Sequence, residues 1–373
     1  MKKLIASAGA AAVLAPAAFA DVSLYGSIRY EMDYSHYSAN AAGAGSNNRF
    51  TTSDGHSRIG IRGSDKWDDG DISTIWQVES ALARGSDASG NRRFGTDTPF
   101  GTRNTFIGLQ SNSLGTLRLG HYDSAYKSML GASNLSSLFD SFDMDYKAGG
   151  RGMFSQAGKR LNNSINYDSP VWSGFQARAT YGADANAGFG KGAPIAAATG
   201  LYTNGGFVVG LAGEYAANRN FKQSTSIKGG DTTPGASVTA IQLAGGYKFD
   251  SSAQLGAGWE RIEENAGDAL SNQKNNWNNF VVIGRYNLNP KLQAQGFYAW
   301  TRNYLGVSGQ NGQHATVGLT YAVSKRTYLY TYATRLNNDA AQGGASFING
   351  NGSMIATPGQ TVAQLSMGIH SDF

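Results

Sequence analysis

The feature that most constrains this chain is a two-residue hydrophobic period that persists to its final residue. In 361–373, Ala363, Leu365, Met367, Ile369 and Phe373 share one parity, and Gln364, Ser366, His370 and Asp372 share the other. That is the signature of a strand with one dry face and one wet face. Chain ends ordinarily lose order, so a strand this regular at the terminus implies a partner that pairs with it. The same period appears in 22–34, where Val22, Leu24, Ile28, Tyr30, Met32 and Tyr34 alternate with Ser23, Ser27, Arg29, Glu31 and Asp33. It recurs in Phe175/Ala177/Ala179/Tyr181, Phe207/Val209/Leu211/Tyr215, Thr239/Ile241/Leu243/Tyr247 and Ala315/Val317/Leu319/Tyr321. In "TYLYTYATRL" both faces carry apolar atoms, and the parity stays open. No helical period of useful length competes, beyond a short turn in 124–145.

The connections alternate in length. Seven short ones (64–71, 111–115, 168–174, 203–206, 250–252, 289–290, 324–326) interleave with eight long ones (35–56, 83–101, 122–157, 182–195, 218–236, 263–276, 303–312, 337–360). Together they join sixteen antiparallel strands, with both termini on the short-turn side. A sandwich buries apolar faces against each other and has no reason to sort its loops by end. A barrel in lipid turns apolar side chains outward, lines its lumen with polar ones, and leaves no unpaired edge. The pattern therefore predicts an all-β, 16-stranded transmembrane β-barrel, closed by pairing 22–34 with the terminal strand. Aromatic residues near strand ends (Tyr30, Tyr34, Tyr247, Phe249, Tyr286, Tyr298, Trp300, Tyr321, Phe373) fit the two interfacial girdles. Sixteen strands also leave an aqueous channel, unlike eight.

The N-terminus supports export. "MKKLIASAGAAAVLAPAAFA" has a basic start, a short apolar stretch and a small-x-small ending, which reads as a signal peptide over 1–20, cut between Ala20 and Asp21. The barrel then occupies 21–373. The chain has no Cys despite that route, so disulfides do not hold the fold. Without Lys2 and Lys3, 29 of the 31 basic residues face 26 acidic ones, and they are scattered, which argues against a nucleic-acid partner.

Catalysis and metal binding find little support. The five histidines are dispersed, and His121 near Asp123 is a local His/Asp pair. "GFGKGA" (188–193) lacks the strand–helix setting of a phosphate loop. "DKWDDGD" (65–71) reads as a polar turn. No enzyme activity and no cofactor or metal is expected.

"SRIGIRGSDKWDDG" (57–70), "RNTFIGLQSNSLGTLRLGHYDSAY" (103–126), "NSINYDSPVWSGFQARATYG" (163–182), "HATVGLTYAVSKRTYLY" (314–330) and "QLSMGIHSDF" together resemble the general diffusion porins of β-proteobacteria. The resemblance implies an outer-membrane homotrimer with short periplasmic turns and long extracellular loops, in contact with outer-membrane lipid and lipopolysaccharide. It implies that the third loop, 122–157, folds inward, and that Phe373 is read by the barrel-assembly machinery. The function expected is a water-filled channel for passive diffusion of small hydrophilic solutes and ions, moderately anion-selective. The alternatives are a solute-selective channel, or a surface adhesin or antigen whose loops make the contacts.

Inward parity nominates Arg29, Arg58, Arg62, Arg118, Arg160, Arg178 and Arg285 as lumen residues, because charge on the lipid face costs ~2–4 kcal/mol at the midplane. Arg58 and Arg118 match wall arginines of the resembling family. Parity also places Arg103 outward and Asn104 inward. Asp140, Asp143 and Asp145 of the long loop either face these arginines across a constriction or serve as ordinary solvated loop residues.

Overall fold

The computed structural model describes residues 21–82, 100–139, 152–183, 192–221, 233–250, 252–265, 274–349 and 353–373. The expected signal segment with Ala20, and Asp140, Asp143 and Asp145, lie outside the described residues; Asp21 opens the first strand. The strands are β1 (Asp21–Tyr37), β2 (Asn47–Asp54), β3 (Arg58–Lys66), β4 (Ile72–Ala81), β5 (Thr105–Ser111), β6 (Gly115–Asp123), β7 (Arg160–Asp168), β8 (Phe175–Gly182), β9 (Ile195–Asn204) and β10 (Phe207–Ala217). They continue with β11 (Ser237–Lys248), β12 (Ala253–Asn265), β13 (Lys274–Asn287), β14 (Leu292–Arg302), β15 (Gly312–Ala322) and β16 (Thr327–Asn338). After a small hairpin of β17 (Phe347–Ile348) and β18 (Ile355–Ala356), β19 (Thr361–Asp372) ends the chain. Each main strand pairs antiparallel with its sequence neighbour, and β19 pairs with β1, so the sheet closes.

Both β2 and β3 pair with β1, at Tyr30–Tyr37 and Asp21–Ser27 respectively. They form one strand interrupted at 55–57, which makes sixteen staves from seventeen segments. Two residues of β1 oppose three at the break, so it acts as a bulge and flips the side-chain parity. The interruption sits beside Arg29, whose carbonyl accepts from Gly55 N–H at 2.9 Å. A Cβ on Gly55 would lie 2.5 Å from Arg29 Cδ, so a larger residue there would have to push the arginine side chain aside.

The first connection is shorter than the sequence suggests. Residues 35–37 extend β1, and 47–54 form β2, so the loop is 38–46 and not 35–56. "NNRFTTSD" does not read as a strand because only Phe50 gives it an apolar side. Elsewhere the strand and turn spacing follows the sequence reading to within a few residues.

Sidedness follows the period. Leu24, Leu243 and Leu319 point outward and are 59%, 44% and 40% exposed. The terminal strand pairs as its regularity requires, with Tyr30 opposite Ile369 and Met32 opposite Met367. Phe373 completes the seam: its N–H donates to Gly26 O at 3.1 Å, and its carbonyl accepts from Gly26 N–H at 3.2 Å. The ambiguous "TYLYTYATRL" resolves with Tyr328, Tyr330 and Tyr332 inward, where Tyr330 and Tyr332 hydroxyls donate to Glu31 at 3.0 and 2.9 Å.

One expectation fails over part of the ring. The inner face is only partly polar from β9 to β13: Leu201, Val208, Ala212, Ala244, Val281 and Ile283 point inward and are buried beside Thr199, Glu214, Gln242, Glu260 and Asn279. The third long loop lies against them. Its described part carries α1 (Ala125–Ser128) and α2 (Ser133–Phe139). Protein, not water, covers that arc, so apolar residues there carry no exposure cost.

Candidate functional site: the pore lumen and its loop

The loop enters the barrel after β6 and returns into β7. Two glutamates on the inner wall hold it. Glu260 on β12 accepts from Tyr126 Oη (2.7 Å), Gln156 N (2.9 Å), Ala157 N (3.2 Å) and Asn279 Nδ2 (2.8 Å). Glu214 on β10 accepts from Ser124 Oγ (2.8 Å) and Gly158 N (3.1 Å). Loop N–H groups buried away from water need such acceptors. On the neighbouring strands, Thr180 Oγ1 accepts from Ala125 N at 2.8 Å, Thr199 Oγ1 donates to Ala125 O at 2.7 Å, and Trp277 Nε1 donates to Gln156 Oε1 at 2.7 Å.

Shape completes the seat. Phe154 rests on Gly258, where an added Cβ would stand 2.4 Å from its ring. Leu138 fills the space over Gly246 and Gly256, and Met129 that over Gly210. Phe139 and Phe154 stack at 6.5 Å. Placing residues of 122–157 inside the barrel narrows the lumen toward the opposite wall.

Most of the nominated arginines lie outside the covered arc, on β1, β3 and β6–β8. Arg118 on β6 donates to Asp168 Oδ2 at 2.9 Å, and lies over the rings of Tyr122 (5.0 Å) and Phe106 (5.6 Å). Arg178 on β8 reaches the same carboxylate at 3.9 Å and hydrogen-bonds Ser128 of the loop at 3.3 Å. Arg160 at the start of β7 binds Asp123 at 3.1 Å and Asn104 Oδ1 at 2.7 Å, and Lys127 pairs with Asp123 at 2.9 Å. Arg29 donates to Tyr330 Oη at 3.1 Å and stands 3.8 Å from Glu31. Arg285 faces inward on β13, opposite Gln254 and Gln295.

Arg58 and Arg62 on β3 differ from these. Neither has a carboxylate partner among the described residues. Arg62 lies over the Tyr25 ring at 5.0 Å and donates to Ser23 Oγ at 3.3 Å. Parity therefore locates all the nominated arginines on the wall, but it does not show that Asp168, Asp123 and Glu31 neutralise most of them. Of those acids only Glu31 is inward by the sequence period; Asp123 turns inward after the register shift between Gly120 and Tyr122, and pairing any of them across strands needs the register. The His121/Asp123 pair seen in sequence does not form a unit, because the Asp123 carboxylate binds Lys127 and Arg160.

Arg103 corrects the parity assignment. β5 begins at Thr105, so Arg103 precedes the pleated region in which alternation holds. Its guanidinium turns to Glu79 Oε1 at 2.5 Å, and Tyr25 Oη donates to the other oxygen of Glu79 at 2.9 Å. Asn104 keeps its inward placement, donating to Asp123 at 3.1 Å.

Known proteins share this architecture. Residues 6–341 match the family model described as Gram-negative porin. The chain is 31% identical over 337 residues to the major outer membrane protein P.IB of Neisseria sicca, covering 85% of this chain and 88% of that protein. It is 27% identical over 388 residues to an outer membrane porin protein of Bordetella pertussis, covering 91% and 95%. Among solved structures, an anion-selective porin from Comamonas acidovorans superposes with a TM-score of 0.72 at 20% identity, covering 95% of this chain and all (100%) of that one. A trimer form of OmpT from Vibrio cholerae gives 0.66 at 17%, covering 94% and 99%.

Proposed function

The chain belongs to the Gram-negative porin family and spans the outer membrane as a multi-pass β-barrel, and from that premise we propose a water-filled channel that passes small hydrophilic solutes and ions with moderate anion preference. The single observation that carries the preference is the pair Arg58 and Arg62, inward-facing cations with no carboxylate partner among the described residues. An unbalanced positive wall raises the local anion concentration in a narrow passage with low-dielectric walls. The Comamonas acidovorans porin of the same fold is itself anion-selective, which supports the reading.

Planar-bilayer recording tests it. Folded protein is expected to give stepwise, ohmic conductance, with a reversal potential in a KCl gradient on the anion side at low salt. Preference should fade as salt screens the wall. Absence of steps would overturn the channel, and a cation-side potential would overturn the selectivity.

The remaining parts of the reading concern assembly. The channel works as a homotrimer in contact with outer-membrane lipid and lipopolysaccharide, after export on the 1–20 segment and removal of that segment before Asp21. Phe373, at the seam between first and last strands, is the residue the barrel-assembly machinery engages. No catalytic step belongs to this function.

A further inference from the structure

The eighth long loop also turns into the barrel. After β16 the chain forms the β17–β18 hairpin, and Phe347, Met354 and Ala356 of that hairpin are fully buried. A loop running over the outside would leave such side chains in water. The wall beneath matches them. Leu336 on β16 and Val362 on β19 stand opposite each other on the inner face, and both are fully buried. Apolar inward residues mark the wall that the third loop covers on β9–β13. The same mark recurs here, at the long-loop end of β16 and β19.

Contacts tie the hairpin to both sides. Gly312, at the head of β15, seats two loops at once: an added Cβ would meet Met153 of the third loop and lie 2.8 Å from Phe347 Cε2. Phe347 meets Tyr304 of the seventh loop at 5.2 Å, Tyr304 meets Trp277 at 5.7 Å, and Trp277 meets Phe221 of the fifth at 4.8 Å. Trp277 in turn donates to Gln156 of the third loop. On the other side the contacts are polar. Ser353 Oγ accepts from Gln364 Nε2 at 3.2 Å, and the same nitrogen reaches Asp33 Oδ1 on β1 at 2.9 Å. Gln364 lies on the inner face of β19, roughly 10 Å down the strand from Thr361. Asn338 Nδ2 closes the base of the hairpin, donating to Ala345 O and Ala356 O at 2.9 Å each.

The hairpin thus reaches from β15 to the β19/β1 seam at the long-loop end. It continues the cover that the third loop lays on β9–β13, and Arg58, Arg62 and Arg118, on β3 and β6, lie outside both. We propose that the eighth loop is a second selecting element, which narrows the long-loop mouth in series with the third loop and sends solutes toward the arginine-bearing strands. Bulky uncharged solutes, which gain nothing from a positive wall, are the class it holds back. The inference rests on the channel reading.

Thiol labelling and bilayer recording test it, and the first needs no conduction. The chain has no Cys, so a single introduced cysteine reports its own exposure. Met354→Cys should react with a hydrophilic maleimide about tenfold or more slowly than Ala341→Cys, an exposed site on the same loop, because access requires the hairpin to open. Equal rates would place the hairpin outside and overturn the proposal. A Phe347→Ser/Met354→Ser variant, which changes no charge, should release the hairpin. Single-channel conductance is then expected to rise by about half or more. Neutral oligosaccharides too large for the parent should enter liposomes, and the reversal potential in a KCl gradient should move toward weaker anion preference. Phe347→Leu should stay near the parent. Heat-dependent gel mobility shows whether each variant is folded. A folded double variant with the parent's conductance, size limit and reversal potential would overturn the proposal. Absence of steps from the parent would overturn the channel and this role with it, and the labelling ratio separates that failure from a misplaced loop.

Discussion

The two arcs of the inner wall use the same strand geometry to opposite ends. On β9–β13 many inward side chains are small or apolar, with Thr199, Gln242 and Asn279 buried among them and Glu214 and Glu260 serving as acceptors for the loop. On β16, β19, β1 and β3–β6 they are tyrosines, arginines, acids and amides linked across strands, as in Asp33, which accepts from Ser53, Gln364 and Ser366. The barrel closes identically in both arcs. What differs is the neighbour: a folded loop covers one arc, and water in the lumen wets the other. A strand face is therefore polar or apolar according to what lies against it, not according to whether it is inside.

The largest test of this contrast removes an anchor of the covered arc. Glu260→Ala leaves the Tyr126 hydroxyl and the N–H groups of Gln156 and Ala157 without their acceptor. The expected cost is on the order of 3 kcal/mol or more, read as a lower unfolding temperature of the barrel. Single-channel conductance should rise as the loop leaves its seat. If conductance and stability both stay at the parent values, the loop is not held as described.

Gly258→Val probes the same seat by shape. Its Cβ would overlap the Phe154 ring, and overpacking of this kind costs about 1–3 kcal/mol. A double variant with Phe154→Ala should recover much of the loss. Failure of that rescue would assign the effect to the strand and not to the loop.

On the wet arc, charge replaces packing as the variable. Arg58→Glu should move the reversal potential further toward cations than Arg118→Glu, because Arg118 already shares its charge with Asp168. Asp168→Asn should move it toward anions by releasing that charge. An equal response to Arg58→Glu and Arg118→Glu would show that pairing does not screen the wall.

The smallest effect lies outside both arcs, in the short turns. Asp71 accepts from Ser111 Oγ at 2.8 Å, Ser113 Oγ at 2.9 Å and Ser113 N at 3.1 Å, and these donors hold its carboxyl below the ordinary carboxylate range. Its contribution is thus present above the unfolded-state pKa and is lost as pH falls through the depressed folded value. Asp71→Asn should flatten the acid limb of a stability–pH profile slightly. A profile that superposes on the parent would remove Asp71 from the account.

Much of the fold was legible because lipid on one side and a ring that must close leave the sequence few choices. The period of two placed Leu24, Leu319 and Met367 outward and Arg58, Arg118 and Arg178 inward. Loop lengths supplied the strand count. Residues 47–54 escaped because a strand lined by polar groups on both sides has no period to read. Arg103 escaped because parity holds only where the backbone is pleated.

What the sequence determined by itself is the set of residues on each face, since alternation is a local property of the extended backbone. Tertiary structure alone decided which inward groups meet: Arg118 with Asp168 across fifty residues, Tyr126 with Glu260 across 134. Those distances depend on strand register and on where the loop comes to rest, and no single segment encodes either. The physical consequence is that charge balance in the pore is a property of cross-strand neighbours, while membrane insertion is a property of each strand.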